Sequence, residues 1–370
     1  MLQLPHRLRR AGLPLLGLLG LAACSGPPDA SWQLISPRGF PLTNHAAQAL
    51  LFLDDSTGLL LGGAWSEAAA LGNTITEEQV STIFRTTDGG RSWRMQARSK
   101  GRRFVLATRL GPAAYAVELQ PRSARSPRDT SALLRSTDGG QTWQPLGRLP
   151  GRVFTLSFAD TAQGLALTTT PLLVGTAIYR TTDGGRSWQP GRLPAAAPAL
   201  SGVAAPDGTA WLLLPPPGPH PSFAATLARV DWRTGAVAAE AIPGGHVEAP
   251  PLLDEAGDLW LAGSAPDGSV QLLRRAARSG RYTEVHRFAP ASGERLRPVA
   301  LHRAGTSFSL LARDTQTGQA RFYHSADAGR SWQEETLSAA AVFDLCAFAG
   351  LGRAWLSIPG PRLLVRGPRP

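Results

Sequence analysis

Nine residues, Arg85-Thr-Thr-Asp-Gly-Gly-Arg-Ser-Trp93, return as Arg135-Ser-Thr-Asp-Gly-Gly-Gln-Thr-Trp143, again from Arg180 to Trp188, and as His324-Ser-Ala-Asp-Ala-Gly-Arg-Ser-Trp332. A pattern that recurs in this way marks a chain built from repeated supersecondary units, each of which buries its apolar face only against its neighbours. The shared aspartates stand at 88, 138, 183 and 327, separated by 50, 45 and 144 residues, the last being three times 48. Two worn copies are therefore expected near 231 and 279. Arg229-Val-Asp-Trp-Arg-Thr-Gly235 fits the first, and Arg278-Ser-Gly-Arg-Tyr282 fits the second without its aspartate.

A second series keeps the same period. Short apolar strands begin at Gly58, Ala114, Gly164, Thr209, Asp258, Ser307 and Arg353, one more than the number of boxes. A box should follow each such strand by about 20 residues, which after Trp355 runs past the last residue, Pro370. The missing piece stands at the other end, where Asp29-Ala-Ser-Trp-Gln-Leu-Ile35 copies the tail of a box and the strand after it. This predicts seven four-stranded units in a ring, closed by the strand Trp32 to Ser36 pairing with the C-terminal strands between Val342 and Arg366. Closure of this kind protects sheet edges. In the third unit the strands are expected at 153–158, 164–169, 177–181 and 188–192. Gly and Pro, 40 and 31 of them, suit a chain full of tight turns.

The box falls at the hairpin between the third and fourth strands of a unit. Its Asp accepts bonds from turn amides, its glycines adopt positive φ, and its Trp packs between units. The pattern Thr-x-Asp-x-Gly-x-Ser-Trp resembles the Asp-box, or BNR, repeat of sialidase-like propellers, of photosystem II assembly factors of the Ycf48 type and of sortilin-like propellers. The resemblance runs over nearly all of residues 31–366. It implies an all-β, seven-bladed β-propeller of four-stranded blades. It also implies that Asp88, Gly90, Trp93, Asp138, Gly140, Trp143, Asp183, Gly185, Trp188, Asp327, Gly329 and Trp332 are structural turn residues on the periphery, away from the binding face.

The N-terminus speaks to compartment. Arg7, Arg9 and Arg10 form a basic segment, Leu13 to Leu21 an apolar one, and Leu21-Ala22-Ala23-Cys24 follows. That is the layout of an export signal. The last four residues resemble a bacterial lipobox, which implies diacylation of Cys24 and anchoring to a membrane, since each buried methylene contributes about 0.8 kcal/mol. The expected organisation is residues 1–23 as signal, 24–30 as lipidated linker, 31–366 as propeller and 367–370 as tail. Ser25, in place of the Asp that often retains lipoproteins at the inner membrane, points to the outer one within the cell envelope. Cys346, with no partner cysteine, reads as a small buried hydrophobe.

The catalytic constellations known for this fold are missing from the sequence, while the paired carboxylates of other glycosidases have a separation set by the fold and not by spacing. A sialidase-like hydrolase would carry an arginine triad and a Tyr nucleophile beside a Glu, yet Ser36-Pro-Arg-Gly-Phe40 is the nearest approach to the first arginine motif. Tyr115 with Glu118 is the one pair to test. The carboxylate pairs Asp54-Asp55 and Glu77-Glu78 read as solvated neighbours, and no His, Cys or carboxylate spacing suggests a metal. No cofactor is expected. The predicted function is a non-enzymatic binding or assembly scaffold, the alternative being a divergent sialidase-like glycoside hydrolase.

The formal charge is +11, nearly all of it from Arg. An exported basic chain suggests a protein or an anionic glycan or lipid as partner, and no nucleic acid. In propellers, the links between blades and the loops between second and third strands line one face. Mapped there are Arg38, then Arg98, Lys100, Arg102 and Arg103, then Arg148 and Arg152, then Arg295 and Arg297, with Arg122, Arg125 and Arg128 in the second blade. The candidate anion or partner site is Arg38, Arg102, Arg103, Arg122, Arg125, Arg128 and Arg152. The long loop Gly62 to Ser81 is a further place for function.

Overall fold

The computed structural model describes residues 30–40, 45–64, 80–120, 128–169, 175–191, 199–214, 226–232, 234–243, 246–291, 293–337, 345–350, 352–358 and 362–368. After β1 (Ala30–Ile35), blade I is β2 (His45–Phe52), β3 (Gly58–Ala64), β4 (Val80–Thr86) and β5 (Arg94–Lys100). Blade II is β6 (Arg103–Leu110), β7 (Ala113–Gln120), β8 (Thr130–Ser136) and β9 (Gln144–Pro150). Blade III is β10 (Val153–Phe158), β11 (Gly164–Thr169), β12 (Thr176–Thr181) and β13 (Gln189–Pro190). Blade IV is β14 (Ser201–Ala204), β15 (Thr209–Leu214), β16 (Thr226–Asp231) and β17 (Val237–Ala241). In blade V, β18 (His246–Val247) and β19 (Leu252–Leu253) share the first place, before β20 (Leu259–Ser264), β21 (Val270–Arg275) and β22 (Tyr282–Phe288). Blade VI is β23 (Leu296–Ala304), β24 (Ser307–Asp314), β25 (Ala320–Ser325) and β26 (Gln333–Thr336). Blade VII is β27 (Leu345–Ala349), β28 (Arg353–Ile358), β29 (Arg362–Pro368) and, from the other end of the chain, β1.

The protein is thus a seven-bladed β-propeller of antiparallel sheets, closed by β1 on β29 in a register from Ala30 opposite Pro368 to Ile35 opposite Leu363. β29 continues two residues past the expected edge at 366. First strands of adjacent blades lie side by side, β2 beside β6 and β27, and β10 beside β6 and β14, so they surround the axis. Second strands are apolar runs because neighbouring blades cover both their faces; Leu59, Leu60 and Leu61 are all fully buried. Last strands are mostly exposed.

The core is divided among seams. Seven clusters of buried side chains are found among the described residues, each joining two adjacent blades. Trp32 of β1 locks the closure by meeting Phe322 of blade VI edge to face at 5.3 Å. In blade III, β10 and β11 fall at the expected positions, whereas β13 is shorter than the expected 188–192. The pairing with β12 still extends one residue beyond Pro190, Gly191 N–H donating to Ile178 O at 2.8 Å. Arg192 lies outside the described residues, as do residues 65–79 of the long loop.

The inner strands also share a local device. Register shifts at 47/49, 104/106, 153/155 and 298/300 place a bulge near the start of β2, β6, β10 and β23. Each bulge bends the strand where it enters the channel.

Candidate functional site

In a four-stranded antiparallel blade, the turns after the first and third strands share one face, and the turn after the second strand and the link to the next blade share the other. The boxes therefore stand with the first turns. The amides of Gly89, Gly184 and Ala328 donate to the carbonyls of Ser56, Ala162 and Thr306 in those turns, at 2.9, 2.8 and 2.8 Å. On the opposite face Gly151 N–H donates to Asp129 O (2.8 Å) and Thr169 N–H to Arg152 O (3.0 Å), tying one inter-blade link to two second turns.

Within each box the aspartate organises its own hairpin. The Thr86 hydroxyl donates to Asp88 Oδ1 (2.8 Å) while accepting from Gly90 N–H (3.0 Å), and the Ser92 hydroxyl and amide donate to the same carboxylate at 2.5 and 2.9 Å. Asp138, Asp183 and Asp327 repeat this set with Ser136 and Thr142, Thr181 and Ser187, and Ser325 and Ser331. The Ser187 hydroxyl, then its amide, hold the Asp183 carboxyl down at about 2, and Ser331 does the same for Asp327, also at about 2. For Asp88, partial burial acts against the charge, but the Ser92 and Thr86 bonds together outweigh it. Both oxygens of each carboxylate are engaged by donors of its own turn.

The tryptophans and second glycines face the preceding blade. Trp93, Trp143, Trp188 and Trp332 join the seams VII–I, I–II, II–III and V–VI. A Cβ on Gly140 or Gly185 would come to 2.3 Å of Leu59 or 2.6 Å of Leu133, so these two positions leave no room for a side chain. Gly90 and Gly329 have more room, a Cβ there coming to 3.3 Å of Leu363 and 3.2 Å of Val285.

The basic residues separate into two groups. Arg103 opens β6 at the channel mouth and donates to Gln48 Oε1 (2.8 Å), Gln48 being the extra residue of the bulge in β2. Burial, and after it the charge of Arg152, push the Arg103 guanidinium below its ordinary value. Beside it Arg102 pairs with Glu118 (2.9 Å), whose side chain is only 4% exposed and also accepts from Ser81 (3.3 Å). Arg128 and Arg152 are exposed on the same face. Across the mouth, Arg297 pairs with Glu248 (2.7 Å), held in turn by Ser264.

The second group is on the rim. Arg98, Lys100 and Arg148 lie on the outermost strands β5 and β9. Arg38 is drawn to the first box, its amide donating to Arg91 O (3.0 Å) and its carbonyl accepting from Trp93 N–H (2.8 Å). It does not join Arg103 and Arg152, because the link out of β1 pairs with the neighbouring box before it turns inward. Arg122 and Arg125, like Cys24 and Glu77-Glu78, lie outside the described residues.

The structure separates the Tyr115–Glu118 pair. Tyr115 is 1% exposed and stacks on Phe158 of the next blade at 4.4 Å, while Glu118, on the other side of β7, is engaged by Arg102 and Ser81. Asp54 caps a turn through the amides of Ser56 and Thr57, and Asp55 faces Arg353. Among the described residues, no three His, Cys, Asp or Glu side chains could share a metal ion. Burial pushes the Cys346 thiol up to about 11, which keeps it protonated and unreactive.

Two groups escaped the sequence reading. His302 stacks on Phe348 at 5.5 Å, and burial together with the charge of Arg109 pushes its imidazole down to about 4. Glu240 gathers Arg275 (2.5 Å) and the Tyr282 hydroxyl (2.5 Å) across the seam between blades IV and V. Tyr282 stands in the second worn box, and the one charge in Val237-Ala-Ala-Glu-Ala241 was the available signal.

Comparison with known proteins agrees with this architecture. The BNR/Asp-box repeat model matches residues 134–145. YCF48 bound to a D1 peptide superposes with a TM-score of 0.57 at 19% identity, over 92% of this chain and 96% of that one. YCF48 from Cyanidioschyzon merolae gives 0.57 at 17%, over 92% and 99%. Streptogramin B lyase gives 0.54 at 13%, over 91% and 98%. No curated protein matches the sequence. At these identities the likeness defines the fold, which serves both an enzyme and a peptide-binding protein.

Proposed function

We propose that the chain is an exported, lipid-anchored, non-enzymatic scaffold that binds an anionic segment of a partner protein at the channel mouth opposite the boxes. The observation that carries this reading is the placement of Arg103 and Arg152 on the face opposite the boxes, the first oriented by its bond to Gln48 Oε1 and the second exposed, where guanidinium groups can bind a carboxylate or phosphate. Gln48 fixes the first guanidinium, and the Arg102–Glu118–Ser81 chain fixes the backbone at the base of the link. The YCF48 that binds a peptide has the same fold. The boxes are structural on this reading, since both oxygens of each aspartate bond donors within its own turn. Lipidation at Cys24 places the chain at a membrane surface of the cell envelope, the outer membrane by the Ser25 argument.

The test is binding of fluorescent peptides of equal length, acidic or neutral, to the full chain. Preference for the acidic peptide should fall by about 10-fold or more in Arg103→Gln with Arg152→Gln, because each charged hydrogen bond contributes about 1.5–3 kcal/mol. Equal binding by wild type and variant sinks the reading. Turnover of sialosides or aryl glycosides, abolished by one carboxylate or tyrosine substitution, would favour a hydrolase instead.

A further inference from the structure

We infer that the outer rim where blade VII meets blade I is the surface that rests on an anionic bilayer, an inference that builds on the lipidation of Cys24. From Cys24 to Ala30 the backbone spans at most about 20 Å. Ala30 begins β1, which is the outermost strand of blade VII, so an acylated Cys24 holds this rim close to the membrane and leaves blades III to V on the far side.

The rim has the composition such a surface needs. Leu34 on β1 is 56% exposed and Met95 on β5 is 52% exposed. Between them the segment at Arg38 meets Ser92 in an isolated parallel bridge, which draws the link after β1 against the first box. Arg38, Arg91, Arg94 and Arg98 are exposed along it, and none forms an ion pair with a described residue. The nearby carboxylates are engaged: Asp54 by turn amides, Asp55 by Arg353 and Asp88 by its box. On the far rim the arginines of the outer strands are partly paired, Arg287 facing Asp267 and Glu284 and Arg229 facing Asp207, while Arg186, Arg278 and Arg281 are exposed on turns without an ion pair to a described residue.

Basic groups beside an anionic leaflet are attracted within about a Debye length, and flanking apolar side chains enter the interface. The acyl chains supply the affinity, and the rim sets the orientation. Contact through a rim lays the channel axis along the membrane plane and leaves the Arg103–Arg152 mouth open to the aqueous space.

The full lipidated chain, with Cys346→Ala, is reconstituted in vesicles of phosphatidylglycerol and phosphatidylcholine, or of phosphatidylcholine alone. A bimane label is placed at Met95→Cys or at Ser279→Cys in blade V, with a nitroxide quencher in the lipid. In anionic vesicles the label at 95 should be quenched several-fold more than the label at 279. The difference should vanish in Arg38→Glu with Arg91→Glu and Arg94→Glu, although that variant still floats with the vesicles. Equal quenching at both positions in the parent chain, or a preference indifferent to charge reversal, overturns the orientation while leaving anchoring intact. A chain that does not float, and whose N-terminal peptide carries no diacylglyceryl mass, overturns both.

Discussion

The seam between blades VII and I and the seam between blades IV and V do the same task with different chemistry. At the first, Trp93 is 3% exposed, meets Phe40 and Phe52 edge to face at 5.6 and 6.1 Å, and bonds Gly90 O through its indole N–H at 3.0 Å. Phe52 in turn stacks on Trp355 at 3.6 Å. At the second, the box has decayed, and Tyr282 takes the place near the tryptophan. Its hydroxyl bonds Glu240, whose carboxylate also receives Arg275, and Arg275 covers the Trp211 ring at 4.4 Å. The first seam is centred on stacked aromatic rings, with the Arg353–Asp55 pair at its exposed edge, and the second adds a partly buried ionic cluster to its apolar contacts. The loss of a local motif has been compensated by contacts between residues distant in sequence.

Removing the anchor of each seam should expose the difference. Trp93→Ala takes away a buried aromatic and leaves a cavity between blades, with an expected loss of about 3–5 kcal/mol in denaturant unfolding. A loss below that of Trp188→Ala, whose ring is only partly buried, would show that the VII–I seam is not the tighter one.

Glu240→Ala should cost about 2 kcal/mol, less than a fully buried pair because its side chain keeps 33% of its exposure. The half-buried Arg275 is then left without its counter-charge. Partial burial of Glu240 favours its neutral form, but the bonds from Arg275 and Tyr282 outweigh that and lower its pKa. A carboxylate lowered on folding stabilises above its unfolded value and loses that contribution as pH falls through the folded one. The effect of Glu240→Ala should therefore shrink on acidification, whereas that of Trp93→Ala should not. Matching pH profiles for the two variants would erase the distinction between the seams.

The same contrast explains what the sequence could and could not show. The box is visible because its bonds join residues two to four positions apart, so Thr86, Asp88, Gly90 and Ser92 must stand at fixed spacing. Blade number and closure follow from counting such copies, and Trp32 in its remnant marks the strand that completes blade VII. Arg275 and Glu240 are 35 positions apart, and nothing in spacing requires them to meet. The candidate mouth is legible by half for the same reason. Arg102, Arg103 and Arg152 were assigned by their place in the repeat, but Gln48, Ser81 and Glu118 come from neighbouring strands. Arg38 was misplaced because its pairing with the first box crosses the join between the two ends of the chain.

Within the boxes, Asp88→Ala should cost about 1–2 kcal/mol, since it leaves the Ser92 and Thr86 donors without their acceptor. Acid supplies the matching experiment on all the boxes together. Asp183 and Asp327 are held at about 2, below the ordinary carboxylate value of 3.8. Their contribution is complete above about pH 4 and fades as pH drops toward 2, where the carboxylates protonate in the folded state. Thermal midpoints measured between pH 5 and 2 should fall for the parent chain, and the gap between it and Asp327→Ala should narrow over that interval. A gap that stays constant to pH 2 would show that the folded carboxylate gains nothing from its turn.

The smallest effect concerns the one box whose backbone and residue disagree. The first glycine of the other boxes has φ of 70°, 71° and 73° at Gly89, Gly139 and Gly184, and Ala328 adopts 61° at the equivalent position, the only non-glycine residue with positive φ among those described. The turn imposes this conformation because the Ala328 amide must reach Thr306 O while the Asp327 carboxylate gathers Ser331. An alanine in the left-handed region costs about 1–2 kcal/mol, and glycine gives back part of that through the greater freedom of the unfolded chain. Ala328→Gly should therefore raise stability by about 0.5–1 kcal/mol. Gly89→Ala should lower it, with added crowding because the new Cβ would come to 3.3 Å of Asp55 O. If both substitutions shift the unfolding midpoint in the same direction, the box turn does not dictate the backbone, and blade VI is held by Trp332 and its seam alone.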